Sequence, residues 1–226
     1  MLIYEKMQYL DIHTHSDKEN PEVVNVQSLT ITDNLFLPIP KSKPISVGLH
    51  PWFSKVADLD INLQNLKLVA AQENVKLIGE CGLDRLRGEK MADQIEMLTR
   101  QIIFAEQIGK PLILHCVRAF SELIALKDKL KVKVPMLIHG FNKNEELGMQ
   151  LLAKGFILSF GAGLLKPKSG AALLIRKTDR FFLETDDGDT TIEEIYAQAA
   201  ILKNCSLDAL KARIFNDWKK IINNNV

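Results

Sequence analysis

Two histidines one residue apart, His13 and His15, close the apolar run in "YLDIHTHSD". The whole chain has only 5 histidines, so this spacing invites a chemical reading. In a strand, alternate side chains share a face. Asp11, His13 and His15 would then line one side, with Leu10 and Ile12 on the other. Imidazoles about 7 Å apart along such a strand can converge on one metal ion. A bare HxH is more often two surface histidines at a strand end, so the rest of the chain has to decide.

Every other histidine also follows a short apolar run. "VGLHP" ends on His50, "LILHC" carries His115, and "MLIHG" carries His139. Two carboxylates sit in the same kind of place, Glu80 in "LIGECGLD" and Asp186 at the end of "FLETD". If these runs are parallel strands, their C-terminal ends share one face, and His13, His15, Glu80, His115, His139 and Asp186 converge. Four imidazoles with two carboxylates suit zinc, manganese or another divalent ion.

The elements needed to position them are legible. Strands are expected over 9–12, 28–31, 45–49, 77–79, 112–114, 136–138, 156–160 and 181–183. Amphipathic helical patterns fill 58–74, 91–108, 119–130, 144–153, 170–177, 191–202 and 207–223. Gly109 before Pro111 stops one helix, and Asn144 and Ser206 can cap the starts of two others. Strands alternating with helices predict an α/β fold, a parallel TIM-like (β/α)8 barrel. Residues 17–44, rich in Pro, Asn and β-branched types, leave no room for two full helices, so the first βαβα segment should be shortened and the barrel irregular there.

Length agrees, because 226 residues fit one barrel domain spanning 1–226, near the lower limit of ~200 for this architecture. Apolar residues make up 46% and charged ones 25%, a globular balance, and the net charge of +1 argues against binding nucleic acid or membrane through bulk charge. Cys81, Cys116 and Cys205 are odd in number and form no CxxC, which reads as reduced thiols. The start of the chain is too polar for a signal peptide, and no apolar run approaches membrane-spanning length. A cytoplasmic protein is expected, with no obligate protein partner.

In their order, "DIHTHSD", "VGLHP", "GECGLD", "LILHCVRA", "LIHGF" and "LETD" resemble the TatD-type metal-dependent hydrolases of the amidohydrolase superfamily. The resemblance runs from Tyr9 to about Asn216. It implies an irregular (β/α)8 barrel and metal-dependent deoxyribonuclease activity. It also implies two divalent ions (zinc, manganese or magnesium), one held by His13, His15 and Asp186, the other by His115 and His139, with Glu80 between them. His50 would sit at the rim as a substrate contact.

Four departures weaken the substrate assignment more than the chemistry. The first segment is short. Val117 stands where the family has arginine, with Arg118 one position later, and "HCFSGS" becomes "HGFNKN", placing Asn142 and Lys143 where small residues are usual. After "LETD" a proline-bearing loop is replaced by "DGDT", beginning at Asp187. All the implied ligands are retained.

The expected mechanism is hydrolysis of a phosphodiester, in DNA or another such substrate, by a water whose pKa falls from 15.7 towards ~7 beside a divalent ion. Glu80 and Asp186 are the expected catalytic carboxylates, Asp186 as general base. Glu184 could orient a histidine ligand or be a buried structural carboxylate. Arg85, Arg87, Arg118, Lys143 and Lys166 lie just past strand ends, where they could meet phosphates. The alternatives are an amide or ester hydrolase using the same centre on a small molecule, and a non-catalytic metal-binding barrel.

Overall fold

The computed structural model describes residues 7–32 and 39–223. Eight strands form one parallel sheet in sequential order. They are β1 Tyr9–Thr14, β2 Val23–Thr30, β3 Ile45–Gly48, β4 Val75–Asp84, β5 Leu112–Val117, β6 Met136–Ile138, β7 Ile157–Phe160 and β8 Phe181–Leu183. Most are nearly continuous apolar runs because both faces are covered, as parallel sheets require. The sheet closes where Thr14 bridges Asp186. There the Asp186 amide donates to the His13 carbonyl at 2.9 Å, and the His15 amide donates to the Asp186 carbonyl at 3.1 Å. Three expected ligands of one ion, His13, His15 and Asp186, thus hang on the closing seam of the barrel.

The helices are α1 Leu59–Ala70, α2 Met91–Ile108, α3 Phe120–Leu130, α4 Glu145–Ala153, α5 Gly170–Ile175, α6 Ile192–Lys203 and α7 Leu207–Ile222. Their ends are chemically punctuated. The side chains of Asn144 and Ser206 accept from the amides of Leu147 and Ala209, and Thr191 forms a capping box with Glu194. Gly109 ends α2 in the left-handed conformation, with φ of 65°. Near the end of the chain, α6 and α7 brace β1. The Tyr196 hydroxyl donates to the Leu10 carbonyl at 3.0 Å, and the buried Lys211 ammonium donates to the Met7 carbonyl at 3.0 Å. Among the described residues, no helix is long and apolar enough to cross a membrane.

The shortened segment is present as expected: among described residues 15–44 none is helical, while 33–38 lie outside the described residues. β1 and β5 run past their expected ends to Thr14 and Val117, so His13 and His115 lie within strands, and β2 and β4 differ most from the sequence reading. β2 begins at Val23, not residue 28, because Asn25 and Gln27 interrupt its apolar pattern without ending the ladder. β4 runs on to Asp84, because Gly79, Glu80 and Gly82 break the apolar run without ending the ladder. Glu80 therefore lies within a strand rather than after one. Cys81, Cys116 and Cys205 are all free thiols. Cys81 and Cys116 are buried, and burial pushes the Cys116 thiol up to about 12.

Candidate metal centre

The five histidines and Glu80 meet at the C-terminal end of the sheet. Glu80 Oε1 lies 3.0 Å from His50 Nε2, His115 Nδ1 and His139 Nε2. Its Oε2 lies 3.2 Å from His13 Nε2 and 3.3 Å from His15 Nε2. Asp186 Oδ1 stands 3.5 Å from His15 and 3.6 Å from His13, with Oδ2 3.9 Å from His139 Nδ1. The site follows from the strand ends. His13 and His15 come from the end of β1, His50 from the turn after β3, Glu80 from β4, and His115 from β5; His139 follows β6 and Asp186 follows β8.

The electrostatics are those of a densely coupled cluster. Burial opposes ionisation of Glu80, yet the imidazoles of His115, His13, His139 and His15 hold its carboxyl far below the ordinary range. Burial also works against Asp186, whose carboxyl is nonetheless held down by His13 and His139. Burial and His139 would lower the pKa of His13, but the carboxylates of Asp186 and Glu80 overcome both and push it up to about 9. His139 is likewise raised, against burial, by Glu184 and Glu80. His50 goes the other way, lowered chiefly by burial.

The donor chemistry fits a divalent ion. Neither ring nitrogen of His13 has a hydrogen-bonding partner, although the residue is fully buried. His13 Nε2 stands 3.2 Å from Glu80 Oε2 without forming a hydrogen bond. His139 Nδ1 and Glu184 Oε2 are buried and unpartnered as well. Buried polar atoms left this way are costly, and coordination would satisfy them. Metal-capable groupings are His13 with His15 and Asp186, His13 with Glu80 and His139, His50 with Glu80 and His115, and His139 with Glu184 and Asp186.

His50 departs from its expected place. It is buried and bonded to Glu80, not set at the rim. The turn after β3 folds back, with the amides of Phe53 and Ser54 both donating to the His50 carbonyl, and this carries the ring inward. Arg85 lies at the mouth but is already engaged. Its Nε donates to the Arg118 carbonyl at 2.8 Å and its guanidinium pairs with Glu122. Arg118 is exposed, and its backbone is left-handed with φ of 52°. Lys143 lines a cleft with His115, Phe120, His139 and Asp186. Glu184 Oε1 stands 3.5 Å from His139 Nδ1 and accepts from the Gly140 amide.

Two further residues, Asp84 and Trp52, support the cluster and escaped sequence reasoning. Asp84 Oδ2 lies 3.0 Å from His115 Nε2 and accepts from Trp52 Nε1 at 2.6 Å, orienting the imidazole from behind. Had β4 been extended to its true end, alternation would have put Asp84 on the Glu80 face. Asp11, expected beside the ligands, instead accepts from the Thr185 hydroxyl at 2.6 Å and amide at 3.1 Å, tying β1 to the segment after β8. Burial pushes the Asp11 carboxyl up to about 7.

Fold and site together define a parallel (β/α)8 barrel with a candidate metal centre at the strand ends, where barrel enzymes place their chemistry. The family model described as TatD related DNase matches residues 22–223, and the chain belongs to that family. It is 32% identical over 147 residues to a Cronobacter turicensis protein named 3′-5′ ssDNA/RNA exonuclease TatD, a match covering 62% of this chain and 56% of that one. A Bacillus subtilis protein named uncharacterized metal-dependent hydrolase YabD is 30% identical over 151 residues, covering 62% and 57%. The chain thus spans somewhat over half the length of these curated relatives. Among solved structures, the TatD homologue YjjV from Escherichia coli superposes with a TM-score of 0.79 at 21% identity, covering 96% of this chain and 98% of that one. A TatD family hydrolase from Entamoeba histolytica gives 0.73 at 15% identity, covering 95% and 98%. Both share the fold.

Proposed function

We propose that this protein is a metal-dependent hydrolase of phosphodiester bonds in nucleic acid, working as one barrel domain over residues 1–226. In this reading His13, His15 and Asp186 hold one divalent ion, His115 and His139 a second, and Glu80 lies between them. The observation that carries it is the convergence of all five histidines within 3.0–3.3 Å of one carboxylate.

A divalent ion there supplies a water activated at neutral pH and neutralises charge on the phosphate. The chain's own groups do the rest. Asp186 is 36% exposed and held ionised by its histidines, so its carboxylate can accept a proton from the attacking water. Asp84 fixes the ring of His115, and Glu184 stands behind that of His139. Arg118, exposed just past β5, is the cation available to a phosphate at the mouth, while Arg85 is held by Glu122 and the Arg118 carbonyl. The names borne by the relatives, exonucleases of single-stranded DNA and RNA, support the same substrate class.

The test is hydrolysis by the purified protein, reconstituted with zinc, manganese or magnesium, of two panels side by side. One holds DNA and RNA oligonucleotides with simple phosphodiesters, the other lactams, amides and carboxylic esters. Cleavage of oligonucleotides is the expected result. Turnover confined to the second panel would replace this reading with that of a small-molecule amidohydrolase.

A further inference from the structure

Beside the metal centre, the turn after β3 presents a large apolar ring to solvent. Phe53 is 61% exposed, yet its ring centroid lies only 5.1 Å from that of His50. His50 in turn lies 5.0 Å from His115. The exposed ring is therefore two ring-to-ring steps from the proposed reacting centre.

Its neighbour Trp52 cannot offer the same surface. The Arg87 guanidinium covers that indole at 3.8 Å from its centroid, and the Trp52 N–H is taken by Asp84. The Phe53 backbone is fixed by the tight turn onto the His50 carbonyl. An aromatic ring on a rigid support, exposed at the edge of the site, binds flat π-systems at little entropic cost.

Charge around the mouth is lopsided. Arg87, Arg118 and Lys143 follow β4, β5 and β6. The cleft after β8 is lined by Asp187, Asp189 and Glu193 with His15 and Asp186, against one cation among its described residues, Lys18. A polyanion is drawn towards the first side and repelled from the second. Phe53 stands next to the cationic side.

We propose that Phe53 is the stacking platform for an unpaired nucleobase next to the scissile phosphodiester, whose phosphates pass along the β4–β6 side of the mouth. This deepens the nucleic-acid reading above and rests on it. Only a base free of its partner and neighbour can present a face to the ring, so the subsite selects single-stranded nucleic acid. Stacking tolerates any base, because every base has a π-face.

The experiment compares an intact single-stranded oligonucleotide with a set of otherwise identical strands, each carrying one abasic site at a different nucleotide flanking the cleaved bond. Values of kcat and KM are measured with manganese for the wild type, Phe53→Ala, Phe53→Leu and Phe53→Trp. The wild type should prefer the intact strand by roughly 5- to 150-fold at one flanking position, mainly in KM. That preference should collapse towards unity in Phe53→Ala, remain largely lost in Phe53→Leu and return in Phe53→Trp. An undiminished preference in Phe53→Ala, or one that Phe53→Leu preserves, overturns the platform while leaving the nuclease reading intact. Failure of the wild type to cleave any of the strands overturns both.

Discussion

Glu80 sits where every histidine of the chain reaches it, which makes the cluster a store of coupled protonation. His13 shows the consequence most clearly. Its folded pKa is raised to about 9, against 6.5 for the free side chain. A histidine raised on folding adds stability that is complete below pH 6.5 and is lost as pH climbs through about 9. Coordination instead needs the neutral ring, so binding an ion releases protons and strengthens as pH rises. The gap in melting temperature between metal-loaded and chelated protein should therefore widen from pH 6.5 to 9. A gap that stays constant or narrows would show that His13 binds no ion. The candidate ligands were legible because histidine is rare here and every copy closes an apolar run. Asp84 and Trp52 were not, because their role depends on where β4 truly ends and on a turn that folds His50 inward.

At the scale of elements, the centre depends on how closely β4 and β5 approach. Gly82 pairs with His115 across the two strands, and a Cβ added there would stand 1.9 Å from the His115 carbonyl oxygen. Backbone, not a yielding side chain, fills the space. Gly82→Ala must push apart the two strands that carry Glu80 and His115, at a cost of at least ~2 kcal/mol for overpacking. For a chain of this size that lowers the melting temperature by about 4 °C or more, and metal affinity should fall with it. An unchanged melting temperature would mean that the strands can separate freely. Such a contact is invisible in sequence, where Gly82 looks like an ordinary turn residue. The helices were easier to read, since Gly109, Asn144 and Ser206 act locally and announce themselves by type and position. β2 was harder, because Asn25 and Gln27 break the apolar run that marks the others.

Across the whole molecule, the barrel brings together residues from 13 to 186 that no local pattern links. The alternation of strands and helices is enough to infer that convergence. It does not reveal that the sheet closes through the main chain of His13, His15 and Asp186 themselves, so that ring closure and ligand placement are one event. Asp186 therefore tests the account most directly, because its backbone belongs to the fold and its carboxylate to the chemistry. The Asp186→Asn side chain keeps its size and leaves the seam's amide and carbonyl untouched, so the variant should fold. The decisive measurement is turnover of a single-stranded oligonucleotide as a function of added divalent ion, for wild type and Asp186→Asn. The wild type should be inactive in chelator and rise to a plateau. The variant should reach a plateau at least ~10²-fold lower, as loss of a general base alone typically costs ~10²–10⁴. Wild-type turnover untouched by chelation, or a variant with a near-normal plateau, would contradict the assignment of this cluster as the catalytic metal centre.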